Sequence, residues 1–342
     1  MDGIKSLMHS PSLPLLASFT AAVLLISYFV FRSTANMPSL ATVRAANAAF
    51  HPRYTPVALF VGGTSGIGQG IAEAFARHTK GNAHIIIIGR NRAAADAIIA
   101  KFPKPTPEAK VSHEFIQCDV SLMKNVQAVT KELLTRLPKI NFLVMSPGFF
   151  SLKSRDETEE GIDRKLAVNY YARWKFTSDL LPALRKAKEN GEDARVLTVL
   201  AAGKGTEVDV DDLGLKKTYS LAKAGTQVAA YNDLMMKAFA AKNPDITFVH
   251  SYPGAVRTGL MSSSDSAFLR AASPIVMGLF YPVLVSLQES GEYMLYGLLN
   301  GGKGFSRVGS RGEDIGMKRF FGSDEALKKL WEHTVKATEV SS

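Results

Sequence analysis

Cysteine is almost absent from this sequence, and that scarcity excludes several classes of protein. A single cysteine, Cys118, rules out an internal disulfide framework and a zinc site built from several cysteines. Glycine (27) and proline (15) show no collagen-like or linker-like excess, and 46% hydrophobic against 21% charged residues indicates a globular chain. A length of 342 residues fits two domains or one large α/β domain.

Acidic residues are the scarcer charged class. The 41 basic and 31 acidic residues leave a net charge of +10, which suits a nucleic acid, an anionic membrane or an anionic cofactor. We expect no nucleic-acid partner, because no recognition motif and no basic stripe with interleaved aromatic residues occurs. The acids of residues 207–212 are interleaved with valines, which favours a solvated loop, so no metal site is expected.

Charge is also missing from the segment Leu13–Phe31, which runs for 19 residues. As a helix it is roughly 28 Å long, about one hydrocarbon core. Arg32, Arg44 and Arg53 follow it before the next acid, Glu73. The positive-inside rule then predicts a single-pass anchor with the body in the cytosol, most simply in the endoplasmic reticulum membrane. A cleaved targeting peptide and an apolar helix packed on the protein remain alternatives.

Strands and helices alternate from residue 56 onward. Short apolar runs typical of buried parallel strands occupy residues 57–61, 84–88, 114–117, 141–145, 195–200 and 246–251. Helical patterns separate them at 67–78, 93–102, 122–137, 162–188 and 219–241. Repeated βα units predict an α/β fold, a doubly wound parallel sheet of the Rossmann type, over 56–260. Residues 1–55 are then the anchor and linker, and 261–342 a substrate-covering segment with a C-terminal extension.

The first strand is followed by a glycine-rich turn, Gly62-Gly-Thr-Ser65-Gly66-Ile67-Gly68, that opens a helix. Glycine permits the tight turn at the first position, close approach of a pyrophosphate to the helix amino end at Gly66, and helix–sheet packing at Gly68. The strand–turn–helix context favours a dinucleotide site over an ordinary turn.

The end of the second strand indicates which dinucleotide binds. An NAD site usually has an acid here for the ribose hydroxyls, whereas this chain has Gly89-Arg90-Asn91-Arg92. The Arg90 guanidinium suits a 2′-phosphate, which favours NADP(H) over NAD(H). If Arg90 is only a solvated loop residue, the preference stays open.

Tyr219 and Lys223 stand four residues apart where the last long helix is expected to begin, and that spacing places both on one helix face. A nearby ammonium stabilises a phenolate and lowers its pKa, so the tyrosine becomes a usable acid or base. The pair alone occurs by chance, but together with the glycine turn it predicts a dehydrogenase site.

With these motifs in order, residues 56–260 resemble the short-chain dehydrogenase/reductase family, in particular its membrane-anchored retinol- and steroid-type and fungal secondary-metabolism members. The resemblance implies that Asp119 and Val120 meet the adenine, that Asn169 holds a proton-relay water, and that Val256 and Thr258 of Pro253-Gly-Ala-Val-Arg-Thr258 contact the nicotinamide. It also places Ser146 among the cofactor-binding residues. Tyr219 and Lys223 match the catalytic pair.

Two departures from the family pattern matter. The asparagine-rich NNAG segment appears as Met145-Ser146-Pro147-Gly148, and the catalytic serine position at the end of the fifth strand holds Ala201. Losing such a hydroxyl costs ~10²–10³-fold in rate. Three alternatives are open. Thr206 supplies the hydroxyl instead, the tyrosine alone suffices for a favourable substrate, or the chain is a relative with weakened catalytic activity.

Residues 271–287 are apolar but interrupted by prolines, which fits a lid over a lipophilic substrate, ordinary core packing or a homodimer interface. The expected activity is NADP(H)-dependent interconversion of an alcohol with a ketone or aldehyde on a lipophilic molecule such as a terpenoid, polyketide, sterol or retinoid. The alternative is a catalytically weakened, nucleotide-binding regulatory or scaffold protein.

Overall fold

The computed structural model describes residues 37–149, 151–259, 261–262, 264–281 and 284–340. The predicted anchor Leu13–Phe31 lies outside them. None of the helices in these ranges combines the length and apolar character needed to span a membrane. Two units make up the chain, Met1–Pro38 and Ser39–Ser342, and the second contains every element described below.

Seven parallel strands form one sheet in the order β3-β2-β1-β4-β5-β6-β7. This confirms the doubly wound α/β prediction. The central strands are short apolar runs buried on both faces, as in other parallel sheets. Their bounds are β1 Val57–Val61, β2 His84–Gly89, β3 His113–Gln117, β4 Phe142–Met145, β5 Arg195–Val199, β6 Thr247–Ser251 and β7 Gly304–Val308.

Ten α-helices flank the sheet in the described ranges: α1 Leu40–Ala48, α2 Gly66–His78, α3 Arg92–Ile99, α4 Met123–Arg136, α5 Arg164–Leu166, α6 Ala172–Glu189, α7 Leu221–Lys242, α8 Ala267–Phe280, α9 Leu287–Asn300 and α10 Asp324–Ala337. Successive strand residues point to opposite faces and so divide two cores. On β1, Leu59 belongs to the core that includes residues of α4, α6, α7 and α10, whereas Phe60 belongs to the core that includes residues of α1, α2, α3 and α9.

The segment expected as a C-terminal extension contains the helix that its sequence predicts over 327–337, and it also supplies a strand of the sheet. β7 pairs in parallel with β6, and its Arg307 is buried because the guanidinium binds the Asp233 carboxylate on α7 at 2.8 Å. A charged residue inside a strand is invisible to an apolar pattern, so the seventh strand escaped prediction.

The residues expected as a linker also contain structure. In α1, Asn47 is buried and donates to the Glu292 carboxylate on α9 at 2.8 Å. Burial opposes the charge on Glu292, but hydrogen bonds from His78, Asn47 and Arg77 outweigh it and lower the pKa of this carboxyl to about 2. The chain is therefore fixed to the body from α1 onward, well before residue 56.

Candidate active site

Two glycines of the turn between β1 and α2 have no space for a larger residue. Gly62 has a φ of +80°, and a Cβ there would lie 2.5 Å from the backbone nitrogen of Pro147. A Cβ on Gly68 would lie 2.4 Å from the carbonyl oxygen of Gly62. Beside Gly66 there is room, since the nearest atom to a Cβ is Cγ2 of Thr258 at 3.7 Å. The amino end of α2 is left bare, and its N–H groups and dipole suit a phosphate.

A cleft at the carboxyl ends of β1 to β4 brings together five of the residues predicted to bind the cofactor. Its lining includes the predicted residues Gly62, Ser65, Arg90, Asp119 and Val120. Residues from the other strand ends, Gly89, Cys118, Pro147, Gly148 and Phe149, complete the same wall. A cleft at this edge of an open parallel sheet is where dinucleotides bind. The residues present therefore fit a nicotinamide dinucleotide.

The other predicted cofactor residues lie around the same sheet edge. Ile67 is in the first turn of α2, and Ser146 directly follows β4, where its N–H donates to the Val61 carbonyl at 2.9 Å. Val256 forms a bridge with Val285. Thr258 faces Gly66 across the bare helix end. This is the end of the cleft at which the family resemblance implies the nicotinamide.

Two arginines follow β2 and have different surroundings. The Arg92 guanidinium lies over the Phe115 ring, 4.9 Å from its centre. Arg90 is exposed and lines the cleft beside Gly89. Of the two, only Arg90 lines the cleft.

Arg173 on α6 supplies the support that the missing asparagines do not. Its fully buried guanidinium donates to the carbonyls of Met145, Pro147 and Val199 at 3.3, 2.6 and 2.9 Å, and to Thr198 Oγ1 at 2.5 Å. Burial lowers the pKa of this guanidinium to about 9. One side chain thus ties the carboxyl ends of β4 and β5 together behind the cleft. Sequence reasoning missed this residue, because an arginine inside a helix gives no local signal of burial.

Asn169 lies in a π-helical turn, Ala167–Tyr171, between α5 and α6. Its carbonyl accepts a hydrogen bond from Asn232 Nδ2 on α7 at 2.9 Å. Single π-turns inside helices often occur at functional sites because they re-aim backbone groups. The proposed relay role of Asn169 stays a prediction.

Tyr219 and Lys223 do not share a helix face, which corrects the predicted start of this helix. α7 begins at Leu221, and Ser220 caps it by accepting the Lys223 N–H, so Tyr219 precedes the helix. The Lys223 ammonium binds Asp209 Oδ2 at 2.6 Å and the Thr218 hydroxyl. The loop before α7 therefore holds the lysine by an acid that sequence reasoning assigned only to a solvated loop.

The Tyr219 hydroxyl is buried, and in the described residues no group lies in hydrogen-bonding geometry with it. The Lys165 ammonium stands 5.4 Å from the ring centre. Burial, with the neighbouring Asp163 carboxylate adding to it, raises the pKa of this phenol to about 12. In this arrangement the tyrosine keeps its proton at neutral pH.

Ala201 follows β5 at the position where the family pattern has serine. Its N–H donates to His250 Nε2 at 3.3 Å, and His250 Nδ1 lies 2.6 Å from Asp233 Oδ1. Asp233 also binds Arg307 at 2.8 Å, and all three side chains are buried. These buried hydrogen bonds hold the main chain at Ala201 in place.

Thr206, the residue considered as a substitute for the missing serine, lies in the loop after β5. Its hydroxyl oxygen accepts a hydrogen bond from Gln227 Nε2 on α7 at 3.2 Å. Gln227 is one helical turn beyond Lys223. The hydroxyl proton of Thr206 is thus directed away from Gln227, and its use in catalysis stays a prediction.

The comparisons with known proteins agree with this geometry. The family model described as short chain dehydrogenase matches residues 56–267. The chain belongs to the short-chain dehydrogenase family. It is an oxidoreductase of a family that binds nicotinamide dinucleotides, which confirms the resemblance argued from its motifs.

Individual relatives share this assignment. The chain is 38% identical over 263 residues to the oxidoreductase AN1596 of Emericella nidulans, covering 77% of each chain. It is 30% identical over 215 residues to the human polyprenol dehydrogenase, covering 61% of this chain and 63% of that one. A solved structure, a short-chain dehydrogenase from Sphingobium yanoikuyae in complex with NADPH, superimposes with a TM-score of 0.51 at 19% identity, covering 71% and 83% of the two chains. That similarity concerns the fold.

Proposed function

We propose that this chain is an NADP(H)-dependent oxidoreductase that interconverts an alcohol with a ketone or aldehyde on a lipophilic small molecule. The observation that carries the proposal is the cleft in which the glycine turn, Arg90 and Asp119 meet. Arg90 stands where an NAD site has an acid, which supports the phosphorylated cofactor.

Side chains of this protein exchange the proton that accompanies hydride transfer. When bound, the nicotinamide supplies or accepts the hydride. The Tyr219 hydroxyl gives a proton to the carbonyl oxygen in reduction and becomes a phenolate, and in oxidation the Tyr219 phenolate takes the proton of the alcohol. A buried hydroxyl without a partner is costly to a fold, and the oxygen of a substrate supplies the missing partner. For Lys223 to lower the pKa of Tyr219, its ammonium must first leave Asp209.

A lipophilic substrate and a membrane location belong to the same proposal. One relative is named for its action on a polyprenol, a long apolar alcohol. The uncharged segment Leu13–Phe31, followed by Arg32, supports a single-pass anchor with the body on the cytosolic side, as in the endoplasmic reticulum. Participation in secondary metabolism stays a prediction.

A Tyr219→Phe variant tests the assignment. The full-length protein, purified in detergent, is assayed with NADPH and with NADH against lipophilic ketones, aldehydes and alcohols. Because Tyr219 is the proton donor, the variant should lose ~10²–10⁴-fold in kcat while its Kd for NADPH stays that of the parent. A variant that keeps the parent's kcat contradicts the role of Tyr219.

A second function, a nucleotide-binding regulatory protein with little chemistry, is favoured by Ala201 and by the lysine held on Asp209. The same assay separates the two functions. If the parent binds NADPH but turns over none of these substrates, the regulatory function is the better account.

A further inference from the structure

Helix α8 presents an apolar stripe to solvent. Phe268, Ile275 and Leu279, at i, i+7 and i+11, share one helix face and are 72%, 73% and 73% exposed. They are more exposed than any other large apolar side chain of the described residues. Phe280 and Tyr281, 49% and 57% exposed, follow at the end of the helix on its other faces. Soluble proteins seldom leave a contiguous apolar face of this kind uncovered. We call Phe268, Ile275 and Leu279 the α8 stripe.

Helix α8 belongs to a segment whose two ends lie at the active site. The chain leaves the sheet edge at Thr258, which faces Gly66 at the bare end of α2. It returns at Val285, whose N–H donates to the Ala255 carbonyl at 3.0 Å and whose carbonyl accepts from Arg257 at 2.9 Å. Helix α8 is therefore part of an excursion that begins and ends at the nicotinamide end of the cleft.

Two arginines lie next to the stripe, and the one acid there, Asp265, is paired with the Lys153 ammonium at 3.2 Å. The Arg257 guanidinium lies over the Tyr281 ring, 4.2 Å from its centre. Arg270 is the single charged residue of α8, and its guanidinium binds the carbonyls of Ser264 and Asp265 at 3.0 Å each. Aromatic and basic side chains bordering an apolar helix face are typical of helices that lie in a membrane interface.

We propose that the α8 stripe docks on the surface of a lipid bilayer that contains anionic lipid, so that a lipophilic substrate passes from the acyl chains to the active site. The inference rests on the proposed membrane attachment. Eight residues lie between Phe31 and Leu40, the start of α1, and these nine steps of the chain reach at most ~30 Å. An anchor at Leu13–Phe31 therefore keeps the start of α1 within about that distance of the bilayer.

Tryptophan quenching tests the docking. The full-length protein is reconstituted into vesicles of phosphatidylcholine and phosphatidylserine, with and without bromine on the acyl chains. Phe268→Trp and Ile275→Trp place a reporter in the stripe, and Val335→Trp on α10, where Val335 is 47% exposed, is the matched control. The parent, with its own Trp174 and Trp331, gives the baseline.

We expect the reporters at 268 and 275 to lose emission in brominated vesicles and Val335→Trp to match the parent. Because the replaced side chains are exposed, thermal melting should show that all variants fold. If the parent floats with the vesicles but neither stripe reporter is quenched, the docking is wrong and the anchor stands. If the parent does not float, both proposals are wrong. A concentration-dependent blue shift at 268 without quenching assigns the stripe to a second copy of the chain and also overturns the docking.

Discussion

The two ends of the active site differ in how completely they are assembled. At the cofactor end, Gly62 and Ser65 of the β1–α2 turn, Arg90 and Asp119 line one cleft. At the proton-transfer end, Tyr219 stands outside α7 with an unpartnered hydroxyl, and Lys223 is bound to Asp209. The first end is held by strand termini and by the buried Arg173, whereas the second is carried by the loop of residues 201–220.

This difference indicates that the proton-transfer end of the site is assembled only when a ligand binds. The residues of the cleft lie at strand ends, which the sheet holds in place. The tyrosine and lysine must approach each other, and a half-exposed ion pair such as Asp209–Lys223 is worth only ~0.2–1 kcal/mol. Binding of the cofactor or the substrate releases more free energy than this ion pair contributes. Binding is therefore sufficient to separate Lys223 from Asp209 and to move the loop.

A methyl group at Gly66 should break the assembled end and leave the rest intact. Gly66→Ala brings the new Cβ no closer than 3.7 Å to Thr258, so the protein folds, although a φ of +59° is unfavourable for alanine. The methyl blocks the approach of the pyrophosphate to the helix N–H groups. Losing one or two such charged hydrogen bonds, at ~1.5–3 kcal/mol each, should raise the Kd for NADPH roughly 100-fold in a titration.

The matched control is Gly225→Ala, the same change in α7, where nothing lies within 4 Å of the added Cβ. It should bind NADPH like the parent. If the Kd of Gly66→Ala for NADPH is unchanged, the phosphate does not bind at the amino end of α2. The cofactor end is then not preassembled.

A serine at position 201 tests the proton-transfer end of the site. The main chain there is fixed by the His250–Asp233 pair, so Ala201→Ser adds a hydroxyl without moving β5. A donor to the reacting oxygen is worth ~10²–10³-fold where a site has evolved to use it, and we expect about a tenfold rise in kcat here. The control is Ala222→Ser at an exposed position of α7. No rise at 201 indicates that another hydroxyl, such as that of Thr206, already serves.

The same division separates what the sequence could predict from what it could not. Strand termini and the glycine turn were predictable because apolar runs and glycines are local signals; β1 was placed to the residue. The buried charges Arg173 and Arg307 were not, because each is stabilised by partners that are distant in the chain. The start of α7 did carry a local signal, since Ser220 is a strong capping residue and Tyr219 precedes it.

The smallest effect is expected from releasing the lysine. Asp209→Asn removes the charge that holds Lys223 while keeping the size of the side chain. Because the pair is worth ~1 kcal/mol at most, kcat should rise by no more than about fivefold, with an unchanged Kd for NADPH. Asp211→Asn, two residues along the same loop and exposed, is the control.

The pH dependence makes this prediction specific to the Tyr219–Lys223 pair. In the structure the pKa of Tyr219 is raised to about 12, so alcohol oxidation, which needs the phenolate as base, increases with pH throughout the neutral range. An ammonium freed from Asp209 and placed beside the phenolate lowers that pKa. The rising limb of kcat against pH should therefore move to lower pH in Asp209→Asn and stay in place in Asp211→Asn. If Asp209→Asn instead lowers kcat with the limb unmoved, Asp209 positions Lys223 for catalysis, and the proton-transfer end is as fully assembled as the cofactor end.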